Sequence, residues 1–308
     1  MNEMIGCCDF VLISRAGSLP EKAYEELYKK RSGKVTMKKG QPGASVEAKE
    51  GKRHLISAIV ACYNEEMRVA ETIEALLGCP SVDEIIAIND GSTDNTLEIL
   101  KRFEGRIEII DLGKNEGKGF AMAEGVRRAR GDIVLFVDAH LLNLQDSHIR
   151  KLVEPLMEGE ADVTLGISLP KAVSPLWPWT GQRAYLRESF LPHLEVVERT
   201  RFGVEAYLNE AFEGKRVVLV RLEGLIHLPK HQKMPLSEVF DSYLIEAVEI
   251  AQTLAEMRGA EVRNIREALS PKRIRSIKSL TEKVGERKVR EIISYIKEHI
   301  IPYLEGKF

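Results

Sequence analysis

The sequence lacks most features of a secreted, membrane-spanning or nucleic-acid-binding protein. Its 308 residues contain four cysteines without a Cys-x-x-Cys pair, so we expect free thiols rather than disulfides or a structural zinc site. The longest apolar runs are strand-sized, well short of the roughly 18 to 20 residues of a membrane span. Lys and Arg total 45 against 47 Asp and Glu, which argues against a dedicated nucleic-acid binder, because such a protein needs a basic face. The start lacks the basic and apolar segments of a signal peptide, so we expect a cytoplasmic protein.

Composition divides the chain into three zones. Residues 1–52 form an N-terminal extension, with a helix predicted over 18–30 and a linker or mobile arm over 34–52. Residues 53–235 form the main domain, and residues 236–308 form a helical C-terminal extension that ends in an amphipathic stripe. The basic residues of that extension alternate with glutamates, which favours a solvated face or a homodimer contact over peripheral membrane binding.

Strands and helices alternate regularly from residue 54 to residue 169. Apolar runs predict strands over residues 55–62, 82–89, 106–112, 132–137 and 161–169, with helices over 65–77, 96–103, 119–129 and 146–157 between them. Strands that alternate with helices of this length indicate βαβ units. The sequence therefore predicts an α/β fold with a mostly parallel sheet flanked by helices.

The pattern becomes irregular beyond residue 170. A proline-rich loop carries Trp177 and Trp179, which either line an acceptor pocket, meet a membrane surface or pack against the C-terminal helices. Helices are predicted over residues 182–197 and 204–212, and a further strand over residues 215–228.

Polar and acidic residues follow each of the first four predicted strands, where parallel sheets bind ligands. Some of them also have a purely structural interpretation. Asp90 and Gly91 would suit a hairpin turn, and residues 92–94 would suit the cap of the following helix. The loop over residues 113–119 lacks the P-loop spacing, and no Gly-x-Gly-x-x-Gly follows the first strand. A P-loop ATPase and a dinucleotide-binding enzyme are therefore disfavoured.

Four motifs in order resemble those of family-2 glycosyltransferases with the GT-A fold, a Rossmann-like fold of nucleotide-diphospho-sugar transferases. They are ACYNEE at residues 61–66, NDGSTD at 89–94, NEGKG at 115–119 and FVDAH at 136–140. The resemblance covers about residues 54–235 and implies a nucleoside diphosphate sugar bound over the first half of the sheet. The binding residues that it implies are Ala61, Tyr63, Glu65, Asp90, Lys118 and Asp138.

The resemblance also implies a role for most of these residues. Tyr63 would pack on the base, Glu65 would lie near the base or ribose, and Asp90 would hydrogen-bond the base. Lys118 would lie near the donor phosphates or sugar. Asp138 opens the Asp-x-Asp motif of the family, where the ribose and the metal-bound diphosphate meet.

The chain departs from the family at the third residue of that motif, which is His140. Either the metal site is lost and the protein is a nucleotide-binding remnant, or His140 is itself a ligand, since imidazole suits Mn²⁺ and related metals. We favour the second hypothesis, because the polypeptide N-acetylgalactosaminyltransferases look similar here, with Asp-x-His and a distant histidine. His227, with Lys230 and Lys233 close behind, is the candidate for that distant ligand, although it also fits an ordinary surface or core histidine. We expect Asp138, His140 and His227 to bind Mn²⁺ or Mg²⁺.

Residues for the acceptor side come from the second half of the domain. Glu205 lies in a segment that resembles the acceptor side of some family members, so it is the candidate general base. A first-turn carboxylate that favours the helix dipole is the competing interpretation. Residues 180–187 resemble a Gly-x-Arg helix start in polyprenyl-phosphate sugar transferases, where Arg183 and Arg187, one turn apart, would bind an anionic acceptor.

These observations predict a metal-dependent glycosyltransferase that moves a hexosyl group from a nucleoside diphosphate sugar to an unidentified acceptor, namely a lipid phosphate, a small molecule or a glycan. Within the class, the alternative is a retaining enzyme similar to the synthases of glucosyl- or mannosyl-3-phosphoglycerate. From another class, the alternative is a nucleotide-binding scaffold or regulatory protein that lost turnover through His140. A nucleotidyltransferase is disfavoured, because no Gly-x-Gly-x-Arg-x-x-Pro start follows the first strand.

Overall fold

The computed structural model describes residues 35–38, 53–168, 180–227 and 253, with residues 35–38 described by their backbone. Several predictions made from the sequence lie outside these residues. They concern the helix over 18–30, the aromatic loop with Trp177 and Trp179, Lys230 and Lys233, and the helical extension. Within the described ranges, none of the helices has both the length and the apolar content that crossing a bilayer requires.

Ten strands and seven α-helices make up the described part of the chain. The strands are β1 (Val35–Lys38), β2 (Ile56–Cys62), β3 (Glu84–Asn89), β4 (Glu108–Asp111), β5 (Ile133–Phe136), β6 (Leu141–Leu142), β7 (Val163–Ile167), β8 (Arg183–Leu186), β9 (Val217–Arg221) and β10 (Ile226–His227). The helices are α1 (Val69–Leu77), α2 (Thr96–Lys101), α3 (Lys118–Arg128), α4 (Asp146–Met157), α5 (Arg187–Phe190), α6 (Leu194–Val197) and α7 (Val204–Ala211), with 3₁₀ turns at Leu191–His193 and Arg201–Gly203.

Eight strands form one sheet in the order β1-β9-β7-β8-β5-β2-β3-β4. Every pair of neighbours is parallel except the two pairs that involve β8, which runs antiparallel between β5 and β7. The predicted α/β fold with a mostly parallel sheet is therefore confirmed. A second sheet consists of β6 and β10, which pair antiparallel.

Helices cover both faces of the large sheet, because its central strands are apolar on both sides. Along β2, Ala58 and Val60 belong to a core cluster shared with α1, α2 and α4. The intervening Ile59 belongs to a second cluster shared with α3, α6 and α7. Successive side chains of a strand point to opposite faces, so this alternation gives a three-layer arrangement with one core on each side of the sheet.

The helix predicted over residues 182–197 is wrong in its first part. Residues 183–186 form β8, which fills the gap between β5 and β7 and pairs Arg183 with Phe136 and Leu186 with Ile133. Helical structure begins only at Arg187. Two neighbouring strands satisfy the backbone of β8 on both sides, and this tertiary pairing outweighs a weak local preference for helix.

Two further boundaries differ from the sequence prediction. The linker predicted over residues 34–52 is wrong at β1, whose backbone pairs parallel with β9 and extends the sheet by one strand. The strand predicted over residues 215–228 is divided into β9 and β10 by a turn that contains Gly224 at φ +81°. Glycine adopts this left-handed conformation without steric cost, so the chain leaves the large sheet here and joins the small one.

Candidate active site

The loops that follow β2 and β3 are joined by hydrogen bonds at the carboxyl edge of the sheet. The backbone N–H of Asn64 donates to Ser92 Oγ at 3.0 Å, and that of Glu65 donates to Thr96 Oγ1 at 2.8 Å. Asp94 Oδ1 accepts the backbone N–H of Thr96 at 3.0 Å, at the start of α2. Asn95, not a residue of 92–94, is the N-cap of α2 and makes no side-chain cap hydrogen bond, so the capping interpretation is not confirmed, although Asp94 does bind the first turn. The hairpin alternative is wrong, because a helix follows.

Asp90 organises the loop between β4 and α3. Its side chain is buried, and its oxygens accept the backbone N–H groups of Glu116 at 2.7 Å and of Gly117 at 3.0 Å. Burial raises the pKa of the Asp90 carboxyl, although these hydrogen bonds act in the opposite direction. The resemblance assigns Asp90 to the nucleotide base, and that role stays a prediction. The structure adds a second role, in which Asp90 positions the residue before Lys118.

The same loop packs tightly against the segment that leads into α7. A Cβ on Gly117 would lie 2.8 Å from Cγ of Arg201, and a Cβ on Gly119 would lie 2.2 Å from a backbone oxygen of α6. The guanidinium of Arg201 donates to Asn115 Oδ1 at 2.9 Å. Glycines at residues 117 and 119 thus permit a close approach that ties the loop to the segment carrying Glu205.

Lys118 bridges two carboxylates at the start of α3. Its Nζ lies 3.0 Å from Asp138 Oδ1 and 2.7 Å from Glu205 Oε1. Burial alone would lower the pKa of Lys118, but the two negative charges outweigh it and hold the pKa well above its ordinary value. Burial likewise opposes ionisation of Asp138, yet the positive charge of Lys118 holds the pKa of Asp138 well below its ordinary value. Lys118 and Asp138 are therefore both charged at neutral pH.

Two neighbours from the strand β8 region complete the surroundings of Asp138. A Cβ on Gly181 would lie 2.2 Å from Asp138 Oδ1, so only glycine leaves room for the carboxylate. The buried side chain of Gln182 donates from Nε2 to Asp138 Oδ2 at 2.9 Å. Gln182 was not predicted as a site residue, because no motif distinguishes it from a surface glutamine.

The three predicted metal ligands lie together. One ligand atom from each of Asp138, His140 and His227 lies within 4.8 Å of the other two, and the two imidazole rings are 5.7 Å apart, edge to face. The small sheet explains this proximity, because β6 follows His140 directly and pairs His227 with Leu141. A residue 87 positions after His140 is thereby delivered to the Asp-x-His motif.

Each histidine also has a polar partner outside the trio. His140 Nδ1 lies 3.0 Å from Glu65 Oε1. His227 Nε2 lies 2.9 Å from Gln182 Oε1. The structure therefore places the Glu65 carboxylate against His140, whereas the resemblance assigns Glu65 to the base or ribose.

The remaining donor-side residues lie at the end of β2. Ala61 is half-buried within the strand, and Tyr63, just beyond it, is 42% exposed at the same edge of the sheet. This position leaves the Tyr63 ring accessible to a planar ligand. Packing of Tyr63 on a nucleotide base stays a prediction.

The two arginines predicted to bind the acceptor do not lie one turn apart on a helix. Arg183 is fully buried in β8 and donates to the backbone oxygen of Thr180 at 2.8 Å and to Tyr185 Oη at 3.2 Å. Arg187 follows β8 at the opposite edge of the sheet, where its Nε donates to the backbone oxygen of Val126 at 3.3 Å. The strand separates the two residues by about 13 Å, so they do not form a joint anion site beside Asp138.

The fold and site together define the class of the protein. A mostly parallel sheet with the motif loops at its carboxyl edge is the arrangement of the GT-A fold, which the solved structures similar to this chain share. The chain belongs to glycosyl transferase family 2, whose sequence model matches residues 57–215, just over half of the chain. The family and the fold class predicted from the motifs are thus confirmed. The Asp-x-His variant itself is not tested by this match.

Curated relatives match only part of this chain. The poly-beta-1,6-N-acetyl-D-glucosamine synthase of Staphylococcus epidermidis is 41% identical over 87 residues, which are 27% of this chain and 21% of the relative. The synthase of the same name from Staphylococcus aureus strain COL is 36% identical over 110 residues, which are 35% of this chain and 26% of the relative. The matched region thus spans about a fifth to a quarter of the length of these relatives.

Solved structures share the fold over most of the chain. Glucosyl-3-phosphoglycerate synthase from Mycobacterium tuberculosis, in complex with Mn²⁺, uridine diphosphate and glucosyl-3-phosphoglycerate, is similar with a TM-score of 0.57 and 23% identity. The similarity covers 73% of this chain and 88% of that one. The complex of the same synthase with Mn²⁺ and uridine-diphosphate-glucose gives a TM-score of 0.56 at 24% identity, over 74% and 87% of the two chains.

Proposed function

We propose that this protein transfers a sugar from a nucleoside diphosphate sugar to an acceptor in a reaction that depends on a divalent metal. The observation that carries the proposal is the convergence of Asp138, His140 and His227 beside Lys118, at the carboxyl edge of a GT-A sheet. Ligands of parallel α/β sheets bind at this edge. Membership of glycosyl transferase family 2 supports the reaction class.

The chemistry of the cluster fits a divalent cation. One carboxylate and two imidazoles form a mixed oxygen and nitrogen donor set, which suits Mn²⁺ and, less strongly, Mg²⁺. One ligand atom from each residue lies within 4.8 Å of the other two, so the three residues form a group that could hold one ion. When bound there, such a cation supplies Lewis-acid stabilisation of the negative charge on a diphosphate leaving group.

Lys118 supplies a second positive charge beside the same carboxylate. Its ammonium is fixed by Asp138 and Glu205, so little reorganisation is needed when a negatively charged ligand approaches. Preorganised charge of this kind is effective because it is already in place when negative charge develops on the ligand. We therefore assign Lys118 to the diphosphate and donor sugar.

Glu205 is the proposed acceptor-side residue. It lies in the first turn of α7, buried, and faces Lys118 rather than open solvent. An ionised carboxylate at this position suits a general base that takes the proton of an acceptor hydroxyl. If the acceptor is a phosphate, Glu205 instead orients it, since no proton has to be removed.

Several finer assignments remain part of the proposal. The acceptor is a lipid phosphate, a small molecule or a glycan. A cytoplasmic location, a homodimer and a peripheral membrane contact stay predictions. The solved structure with uridine-diphosphate-glucose guides only the order of tests, so uridine donors come first.

The test is the melting temperature with UDP-, GDP- and ADP-sugars, each with Mn²⁺, with Mg²⁺ and with EDTA. A ligand at 100 times its dissociation constant stabilises the folded state by about 2.7 kcal/mol, which is readily measured. We expect one nucleotide to raise the melting temperature only with metal, and the rise to vanish in His140→Ala. His54→Ala serves as the control, because His54 precedes β2 at the opposite edge of the sheet. No shift with any donor would contradict the proposal.

A second measurement separates transfer from binding and assigns Glu205. Metal-dependent release of the nucleoside diphosphate supports an enzyme, whereas tight binding without release supports the scaffold alternative. The anomeric configuration of the product, read by NMR, then tests the base. Inversion supports Glu205 as general base, and retention contradicts that role.

A further inference from the structure

We propose that Glu65 and Gln182 are positioning residues that fix opposite tautomers of the two histidines, so that a metal meets Nε2 of His140 and Nδ1 of His227. Only the metal-binding part of this inference rests on the proposed function. The tautomers are a property of the protein without metal. Their measurement therefore stands even if the proposed reaction is wrong.

The partner of His140 determines where its proton lies. Nδ1 of His140 is 3.0 Å from Oε1 of Glu65, within hydrogen-bond distance. An ionised carboxylate accepts hydrogen bonds and cannot donate one, so Nδ1 of a neutral His140 carries the proton. The lone pair is then on Nε2, and a neutral imidazole binds a metal through its unprotonated nitrogen.

The partner of His227 places the proton on the other ring nitrogen, Nε2. Gln182 donates from Nε2 to Asp138 Oδ2 at 2.9 Å, which fixes the orientation of its amide, because a carboxylate requires a donor there. The amide oxygen of Gln182 therefore faces His227, 2.9 Å from Nε2 of the ring. An amide oxygen accepts only, so Nε2 of His227 carries the proton and Nδ1 carries the lone pair.

The position of that lone pair agrees with a ligand role. Nδ1 of His227 lies 3.9 Å from Asp138 Oδ2, which is too long for a hydrogen bond. Two ligands that each lie about 2.1 Å from one ion can be up to about 4.2 Å apart. The two atoms thus have the spacing of a shared cation, with Gln182 holding both groups in place through its two amide atoms.

The first test reads the tautomers directly. Two-bond ¹H–¹⁵N correlation spectra of the full chain, labelled with ¹⁵N-histidine and recorded without metal at pH 8, distinguish a protonated from an unprotonated ring nitrogen. The seven histidines are assigned by single substitutions. We expect His140 to be protonated at Nδ1 and His227 at Nε2. The same tautomer in both rings, or a mixture in either, would overturn the inference.

Paired variants separate positioning from general packing. Glu65→Gln and Gln182→Glu keep an oxygen acceptor, so the tautomer of the facing histidine is retained. Glu65→Leu and Gln182→Met remove it, and the facing histidine loses its single tautomer. Glu71→Gln is the matched control, since Glu71 pairs with Arg68 on the exposed part of α1. A role in packing alone would not give this pattern, because Leu and Met fill nearly the same space as Glu and Gln and would then retain the tautomer.

The second test measures the affinity for Mn²⁺ alone by calorimetry. Loss of an outer partner of a metal-bound histidine costs about 10- to 100-fold in metal affinity, and we expect this loss in Glu65→Leu and in Gln182→Met. Glu65→Gln and the Glu71→Gln control should bind Mn²⁺ nearly as well as wild type. Unchanged affinity in both apolar variants would overturn the inference. If wild type itself binds no Mn²⁺, the proposed metal role fails, and the tautomer spectra alone decide whether the two positioning roles exist.

Discussion

The ammonium nitrogen of Lys118 lies 3.0 Å from Oδ1 of Asp138, the carboxylate at the centre of the candidate metal cluster. The same nitrogen lies 2.7 Å from Glu205 Oε1, which belongs to helix α7, whereas Asp138 follows strand β5. One ammonium group therefore contacts two carboxylates, of which Glu205 is buried and Asp138 is half-buried.

Lys118→Met is expected to destabilise the protein, since it leaves the half-buried Asp138 and the buried Glu205 without their shared counter-ion. Breaking a buried ion pair by removing one partner costs about 3 to 5 kcal/mol in the free energy of unfolding, which urea denaturation measures. The control is Lys101→Met, because Lys101 forms an exposed pair with Glu98. Equal stability of the two variants would show that the bridge does not stabilise the fold.

Gly181→Ala is expected to displace Asp138. The added methyl group would lie 2.2 Å from Oδ1, so the carboxylate or the backbone must move. Overpacking of this kind costs about 1 to 3 kcal/mol of stability, and Mn²⁺ binding should weaken with it. Gly78→Ala is the control, because a Cβ there has its nearest contact at an ordinary 3.4 Å. Unchanged metal affinity in Gly181→Ala would mean that Asp138 is not a ligand.

Asp90→Asn tests whether Asp90 supports the fold apart from any nucleotide. The carboxylate accepts two backbone N–H groups in the ligand-free protein, and an amide replaces one acceptor oxygen by a donor. We expect a loss of about 1 to 3 kcal/mol in the free energy of unfolding without ligand. A variant that is as stable as wild type, yet binds the nucleotide poorly, would restrict Asp90 to base recognition.

Glu84, at the edge of the sheet opposite the active site, is expected to make the stability of the fold depend on pH. Its Oε1 accepts Ser57 Oγ at 2.5 Å and the backbone N–H of Arg130 at 2.6 Å. Burial would raise the pKa of Glu84, but these hydrogen bonds outweigh it and lower the pKa. A lowered carboxyl pKa stabilises the fold above the unfolded value of about 4.3, and this contribution is lost as the pH falls through the folded pKa.

The corresponding experiment compares wild type with Glu84→Gln in urea at several pH values. The difference in unfolding free energy should be largest at pH 7 and should shrink as the pH falls from 5 towards 3. A difference that stays constant across this range would mean that the charge of Glu84 contributes nothing.

The cysteines of the domain are expected to be unreactive in the native state. Burial raises the pKa of Cys79 to about 11 and that of Cys62 further still. Because the thiolate is the reactive form, iodoacetamide at pH 8 should leave both residues unlabelled in peptide mass maps of the folded protein. Denatured protein should be labelled at both. Rapid native labelling of Cys62 would indicate that β2 opens, since this residue is fully buried.

Much of the fold could be predicted from the sequence, because its strands are buried on both faces. Such strands form apolar runs, and the intervening helices have their own period, so the alternation was visible along the chain. β8 was not visible. Its four residues, Arg183–Leu186, suit either a helix or a strand, and their antiparallel pairing with β5 and β7 decides between the two.

The candidate site was predictable only where its residues belong to motifs. Asp138 and His140 are two positions apart after an apolar strand, and Lys118 follows a glycine-rich loop. Gly181 and Gln182 belong to the Gly-x-Arg pattern at residues 181–183, but that pattern pointed to the acceptor and gave no sign that both residues lie against Asp138. The prediction that Arg183 and Arg187 lie one turn apart was wrong for the related reason that a strand, not a helix, connects them.

The sequence by itself determined the layered α/β architecture and the family, because burial of alternating segments and short motifs are local properties of the chain. Only the tertiary structure decided which distant side chains meet. His227 reaches His140 through the pairing of β10 with β6, and Glu65 reaches the same ring from the loop after β2. Such contacts depend on strand register and loop packing between residues far apart in the chain, and no local periodicity encodes them.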